Sequence, residues 1–359
     1  MLLARHDLGH RAEYLTLFEI ILRRAGHHSI TDPSRAKALL HPGPVIVMMM
    51  EDHRWSTYLI GLIRTLTFRR TVALFFLVRE TLLGARLRYG VKRTLLRLMR
   101  SQSLMSIFTI VPHSVLRCAV PGAKVDVARL THGWIDDPQL WDLEFLPQRA
   151  ASTPLSERAV QAAGARAILM VSGGLDRRKG LEMVSRLAGD KTFADKILIV
   201  VAGKVADSAS DLSAHLARSE CVFEDRFISN EELNSLYAVS DLVWCAYSPS
   251  FDQSSGIFGR AVQAGVTPIV RKGSIVEAYA RNMDVPVLSI DWEDTEVGRT
   301  IVDELAGRVG ASAAARSTRQ RAERNIDNLM RALFGEPPGG AAPADKSRSE
   351  MAPGEAGRA

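Results

Sequence analysis

From residue 167 onward, short β-rich apolar runs alternate with helix-patterned stretches, and this rhythm restricts the fold more than any other feature of the chain. The runs fall at residues 167–171, 197–202, 222–223, 242–246, 268–270 and 285–290, with helical periodicity between most of them. They are continuous rather than alternating, as expected of strands covered on both faces. That is the situation of a parallel sheet between helix layers. The first half repeats the pattern more loosely. A helix is expected over 9–25, a basic helix in the stretch that ends at residue 100, and strands over 1–4, 45–50, 71–78, 107–111 and 124–130.

A chain of 359 residues has the length of two ordinary domains. The expected architecture is therefore α/β, with two Rossmann-like parallel-sheet domains facing a central cleft. The expected boundaries are 1–145 and 146–310, joined through a connection at 131–154 rich in Pro, Asp and Trp. Trp134 and Trp141 are expected to pack this hinge. A helix over 311–334, with Ile326, Leu329, Met330 and Leu333 at helical spacing, is expected to cross back to the first domain. Residues 335–359, with the run Pro-Pro-Gly-Gly-Ala-Ala-Pro, are expected to be disordered because they bury too little apolar area to order themselves.

Three scattered cysteines, Cys118, Cys221 and Cys245, show neither CxxC nor metal-ligand spacing, which points away from a disulfide framework and from a zinc site. The first residues lack an apolar leader core, and the longest later apolar run is too short for a bilayer. A cytoplasmic location is expected. Charge is uneven: residues 1–150 carry 21 Lys+Arg against 12 Asp+Glu, and residues 151–359 carry 25 against 28. Ten of the cations, from Arg64 to Arg100, face a single acid, Glu80. Leucines interleave them, so the segment reads as a basic amphipathic helix suited to the anionic inner face of a membrane. A plain solvated face is the alternative. Nucleic acid is not an expected partner, because the segment lacks the basic-aromatic interleaving that stacks bases.

Two strand-to-helix turns carry the chemistry. The first, Ser172-Gly173-Gly174-Leu175-Asp176-Arg177-Arg178-Lys179-Gly180, combines glycines that let a ligand approach the backbone with cations at a helix N-terminus, where phosphate is the expected guest. The second, Asp252-Gln253-Ser254-Ser255-Gly256-Ile257-Phe258-Gly259-Arg260, repeats that physics with serines that can cap a helix. Each turn alone reads equally as ordinary capping. Two in one sheet point to its carboxyl edge, where open α/β sheets bind ligands.

These residues, together with 222–233, Tyr237, Asp241, Gly265 and 268–270, resemble the donor-binding half of GT-B fold glycosyltransferases, and most nearly family 4, the group found in bacterial polysaccharide assembly. The first half resembles it more faintly, through Gly9-His10-Arg11 and Ala25-Gly26-His27. The resemblance implies an N-terminal acceptor domain and a C-terminal nucleotide-sugar domain. It implies donor binding by Gly173, Gly174, Arg178, Lys179, Glu224, Phe227, Ser254, Ser255 and Gly256, with Lys179 neutralising the diphosphate. The family's partner arginine is replaced by Gly174, so Arg177 or Arg178 is expected to substitute. His10 and Asp252 are the implied catalytic residues, His10 as the group that takes or orients the acceptor proton. The family's second glutamate falls at Arg260, which implies impaired donor handling.

The expected function is transfer of a sugar from a nucleotide sugar to a polysaccharide or lipid-linked acceptor, with no cofactor and no metal. The alternative is a non-catalytic GT-B relative acting as a scaffold or subunit in polysaccharide assembly.

Overall fold

The computed structural model describes residues 1–4, 10–52, 54–140, 151–306 and 315–335; within these, the side chains of residues 10–13, 52, 54, 139 and 315–323 fall outside the description. Trp141, the side chain of His10 and the segment 336–359 thus lie outside the described residues.

The first sheet contains β1 (Leu2–Leu3), β2 (Thr31–Asp32), β3 (Val45–Val47), β4 (Thr71–Phe75), β5 (Met105–Thr109) and β6 (Gly133–Trp134) in the order β2-β1-β3-β4-β5-β6. The second contains β7 (Ala167–Ser172), β8 (Ile197–Ala202), β9 (Cys221–Glu224), β10 (Leu242–Cys245), β11 (Thr267–Arg271) and β12 (Leu288–Ile290) in the order β12-β11-β10-β7-β8-β9. Every pairing in both is parallel. All six residues of β8 are buried, which explains its uninterrupted Ile-Leu-Ile-Val-Val-Ala. Each large side chain removed from water on both faces contributes about 1.5–3 kcal/mol. Strand order reverses between β7 and β10, so the helices that follow those two strands cover opposite faces of the sheet and the turns before them meet at its carboxyl edge.

Two expectations for the first half are corrected. Residues 124–130 do not form a strand. Asp126 accepts a hydrogen bond from Ala128 N at 3.1 Å and starts a 3-10 turn at Val127–Arg129, and the ladder partner of β5 is instead Gly133–Trp134. Nor is Arg64 to Arg100 one amphipathic helix. It comprises the end of a helix at Arg54–Leu66, then β4, then helices at Val78–Leu83 and Leu87–Arg100.

Several of its cations are held internally. Arg64 is fully buried and donates to Thr71 Oγ1 and to the carbonyls of Ala38, His41, Gly43 and Arg70. Burial, followed by the nearby Arg69 charge, pulls its pKa down to about 10. Arg93 donates to Thr81 O and Gly84 O, and Arg100 to Thr131 O.

The connection between the sheets is pinned by its two aspartates. Tyr14 donates its hydroxyl to the Asp137 carboxylate at 2.8 Å. Tyr279 accepts from Asp137 N at 2.9 Å and donates to Asp136 Oδ1 at 3.2 Å. Asn325, on the terminal helix Ala315–Phe334, donates to Asp136 Oδ2 at 3.0 Å. One dipeptide thereby joins the first helix of the N-terminal domain, a helix of the C-terminal domain and the terminal helix. Leu329 and Leu333 of the terminal helix are buried in the same core as Leu2 and Phe75, while Phe334 stacks on His27.

Candidate functional site

The turn after β7 is built by its own side chains. Asp176 accepts from Lys179 N at 2.9 Å and caps the 3-10 turn Arg177–Lys179. Gly180 follows with φ +83°, and a Cβ there would lie 2.5 Å from Ala246 O. Only glycine fits this close approach to the end of β10. Trp244 Nε1 donates to Lys179 O at 3.1 Å, and Ser248 N donates to Arg178 O at 2.8 Å. The segments leaving β7 and β10 are thus stitched together at the switch point.

The turn after β10 leads into the helix Gly256–Ala264, whose N-cap Ser255 accepts from Phe258 N at 3.2 Å and is hydrogen-bonded to the Tyr247 hydroxyl at 2.8 Å. The two turns converge. A Cβ at Gly173, where φ is +98°, would lie 3.7 Å from Lys179 Nζ and 3.8 Å from Ile257 Cδ1. Among the described residues no carboxylate pairs with Lys179 Nζ. Burial holds the Lys179 pKa below the ordinary lysine value; Asp176 opposes this and the Arg178 charge adds to it. A half-buried ammonium beside an open backbone corner and a helix N-terminus is set to meet an anion.

Arg178 keeps to the cleft. It donates to Asp176 Oδ2 at 2.8 Å and lies over the Phe251 ring. Arg177 points away, paired with Asp211 and Glu182, so of these two arginines only Arg178 lines the cavity described next.

A cavity of about 190 Å³ opens between the domains, with Phe76, Leu77 and Arg79 on the N-terminal wall and Arg178, Asp252 and Ser254 among the residues of the C-terminal wall. Asp252 has its side chain 2% exposed. Its Oδ1 accepts from Ile275 N at 2.8 Å, and its Oδ2 is ion-paired with Arg271 at 3.0 Å and with Arg79 Nε at 3.4 Å. Its carboxylate is thus engaged with protein groups on both sides of the cleft.

The other candidate residues are dispersed. Glu224 closes β9, two strands from β7, and is paired with Arg158 and Arg226; hydrogen bonding from Arg158 holds its carboxyl below the usual range. Phe227 is three-quarters exposed. Neither lines the cavity, and of the other expected donor residues Arg178 and Ser254 do while Gly173, Gly174, Lys179, Ser255 and Gly256 do not. His10 begins a helix that follows β1, which places its backbone at the carboxyl edge of the first sheet. Arg260 donates to Asn234 Oδ1 at 3.4 Å. Among the described residues no group of His, Cys, Asp and Glu is placed to hold a metal ion; Asp136 and Asp137 serve the hinge instead.

Arg79 is a site residue that the charge pattern concealed, since it was one of ten clustered cations. Its signal was position, four residues beyond the strand that ends at Phe75, where chain segments enter the cleft. Glu51 was also missed. Its Oε1 accepts from Phe76 N and Leu77 N, on the cavity wall, and burial pushes its carboxyl pKa up.

No family model matches the chain, and no curated protein matches it. Solved structures do. A protein assigned as UDP-N-acetylglucosamine 2-epimerase from Listeria monocytogenes matches 90% of this chain and 94% of its own at 12% identity, with a TM-score of 0.55. Sucrose-phosphate synthase from Thermosynechococcus elongatus matches 91% and 78% at 13% identity and 0.53. Trehalose-6-phosphate synthase from E. coli, bound with UDP-2-fluoro glucose, matches 90% and 76% at 11% identity and 0.51. With its two six-stranded parallel sheets facing one cleft, this chain has the GT-B fold.

Proposed function

We propose that the protein is a glycosyltransferase that binds a nucleotide sugar in its C-terminal domain and passes the sugar to a polysaccharide or lipid-linked acceptor held by its N-terminal domain. The observation that carries this reading is the convergence of Gly173, Lys179 and the Ile257 helix start at the switch point of the second sheet. In the reaction the bond between the anomeric carbon and the donor diphosphate breaks and a bond to the acceptor oxygen forms. The acceptor proton goes to a base, for which His10 remains the candidate, and the nucleoside diphosphate leaves.

Lys179, Arg178 and the helix dipole at Gly256 stabilise the negative charge that develops on the leaving group, so the reading requires no metal. Asp252 acts by holding Arg79 at the cavity, with its own carboxylate anchored by the buried Arg271. Glu224 and Phe227 are assigned to the outer border of the nucleotide site. The location in this reading is the cytoplasm, with the acceptor at the inner membrane face.

The test is calorimetry with UDP-, GDP- and ADP-sugars. One of them binds to the wild-type chain and loses affinity in Lys179→Ala; no binding by any, or binding indifferent to Lys179, overturns the donor site.

A second reading, a non-catalytic scaffold in polysaccharide assembly, is favoured by the engagement of Asp252 with two arginines and by Arg260 at a position where the resembled family has glutamate. Nucleotide binding without product, together with co-purification of a partner enzyme, selects it.

A further inference from the structure

The outward side of the helix Arg54–Leu66 is apolar from Trp55 to Leu66. Trp55, Leu59, Ile63 and Leu66, at positions i, i+4, i+8 and i+11, are 41–71% exposed, and Phe68 just beyond the helix is 89% exposed. A helix at the surface of a soluble domain ordinarily turns charged residues outward. Here the one charge in its second half, Arg64, is turned inward and held by five hydrogen bonds. The neighbouring helix Leu87–Arg100 packs alongside and presents Leu87, Val91 and Leu98 on its exposed surface. Both helices connect successive parallel strands running in one direction across the first sheet, so they cover the same face of it.

The charges that flank the apolar residues of the second helix are of one sign. Arg86 and Arg88 flank Leu87, Arg97 precedes Leu98, and all three are exposed. Between residues 54 and 104 the only acid is Glu80. No described helix is long and apolar enough to cross a membrane. An apolar face about 20 Å long, the length of a thirteen-residue helix, rimmed by arginines, matches the boundary between anionic headgroups and acyl chains.

We propose that this face, the outer surface of the helices Arg54–Leu66 and Leu87–Arg100 with Phe68, is a docking surface for an anionic lipid bilayer. Trp55, Leu59, Leu66 and Phe68 enter the acyl boundary, and Arg86, Arg88 and Arg97 meet the headgroups. The burial of Arg64 fixes the helix to the carbonyls beneath it, so the face is presented as a rigid plane. This assignment deepens the inner-membrane acceptor of the proposed function, but it rests on surface chemistry and is tested without any sugar nucleotide.

The experiment is flotation of the full chain with phosphatidylcholine vesicles and with vesicles containing phosphatidylglycerol, at low and moderate salt. Wild type is expected to float with the anionic vesicles. Leu59→Ser and Leu66→Ser are each expected to lower partitioning roughly tenfold, and Arg86→Gln and Arg97→Gln about fivefold each. All four side chains are exposed, so unchanged thermal unfolding serves as the folding control. Trp55 fluorescence, isolated as the difference between wild type and Trp55→Phe, is expected to shift to the blue when anionic vesicles are added. Absence of flotation, flotation indifferent to Leu59 and Leu66, or a solution dimer that the same two serines disperse would each overturn the proposal, the last by giving the face to a second copy.

Discussion

Arg79 Nε, on the N-terminal wall of the cavity, lies 3.4 Å from Asp252 Oδ2 on the C-terminal wall, and Arg79 also donates to Pro249 O at 3.1 Å. This pair latches the cleft, because Asp252 is itself tied to Arg271 and Ile275 N. Arg79→Ala is expected to cost about 1 kcal/mol and to increase the radius of gyration in small-angle scattering. Asp252→Ala is expected to cost about 3 kcal/mol in urea unfolding, because it removes the counter-ion of an Arg271 side chain that is only 10% exposed and leaves it, among the described residues, only its hydrogen bonds to Tyr247 O and Lys272 O.

Lys179→Ala is expected to separate binding from stability. Loss of a charge-assisted contact to the diphosphate lowers nucleotide-sugar affinity roughly 10- to 100-fold in calorimetry. The unfolding midpoint is expected to hold or rise, since a half-buried ammonium that burial already disfavours is removed. A lower midpoint with unchanged affinity would make Lys179 a structural residue.

Gly180→Ala is expected to destabilise the chain by at least about 1–3 kcal/mol. The new Cβ would meet Ala246 O at 2.5 Å and Trp244 Nε1 at 2.7 Å at a φ of +83°. The Trp244 hydrogen bond to Lys179 O breaks, so a change in tryptophan fluorescence accompanies the fall in melting temperature.

His113 supplies a large part of the pH dependence, with His132 and His41, whose pKa values burial also lowers, acting in the same direction. Burial, with Arg117 second, lowers its pKa from 6.5 to about 4, and the ring is hydrogen-bonded to Thr131 Oγ1 at 2.9 Å. Because the native value is depressed, the unfolded chain binds a proton between those two values while the native chain does not. The contribution is whole above pH 6.5 and is lost as pH falls toward 4, up to about 3 kcal/mol. Urea midpoints fall as pH drops across that window in wild type and are expected to fall less steeply in His113→Gln, where His132 and His41 remain.

Much of the second sheet was legible because its strands are apolar runs with a single reading. The run 197–202 coincides with β8, and 167–171 with all but the last residue of β7. In the first half β2 and β6 have two residues each, too few for any periodicity to register. The run 124–130 has the composition of a strand, but a capping carboxylate at Asp126 turns the chain before it can pair.

Local order along the chain determined the two turns, the residues that cap them and the arginine-rich character of the first domain, because glycine conformation, helix capping and apolar periodicity act over a few residues. Long-range packing alone decided which of those charges remain available. It buried Arg64 among carbonyls, joined Arg79 to Asp252 across 173 positions of sequence, placed Asp136 and Asp137 in a hinge with Tyr14 and Tyr279, and left the apolar side of Arg54–Leu66 facing outward. Burial and partner choice depend on what the rest of the chain brings alongside, and neither composition nor spacing carries that information.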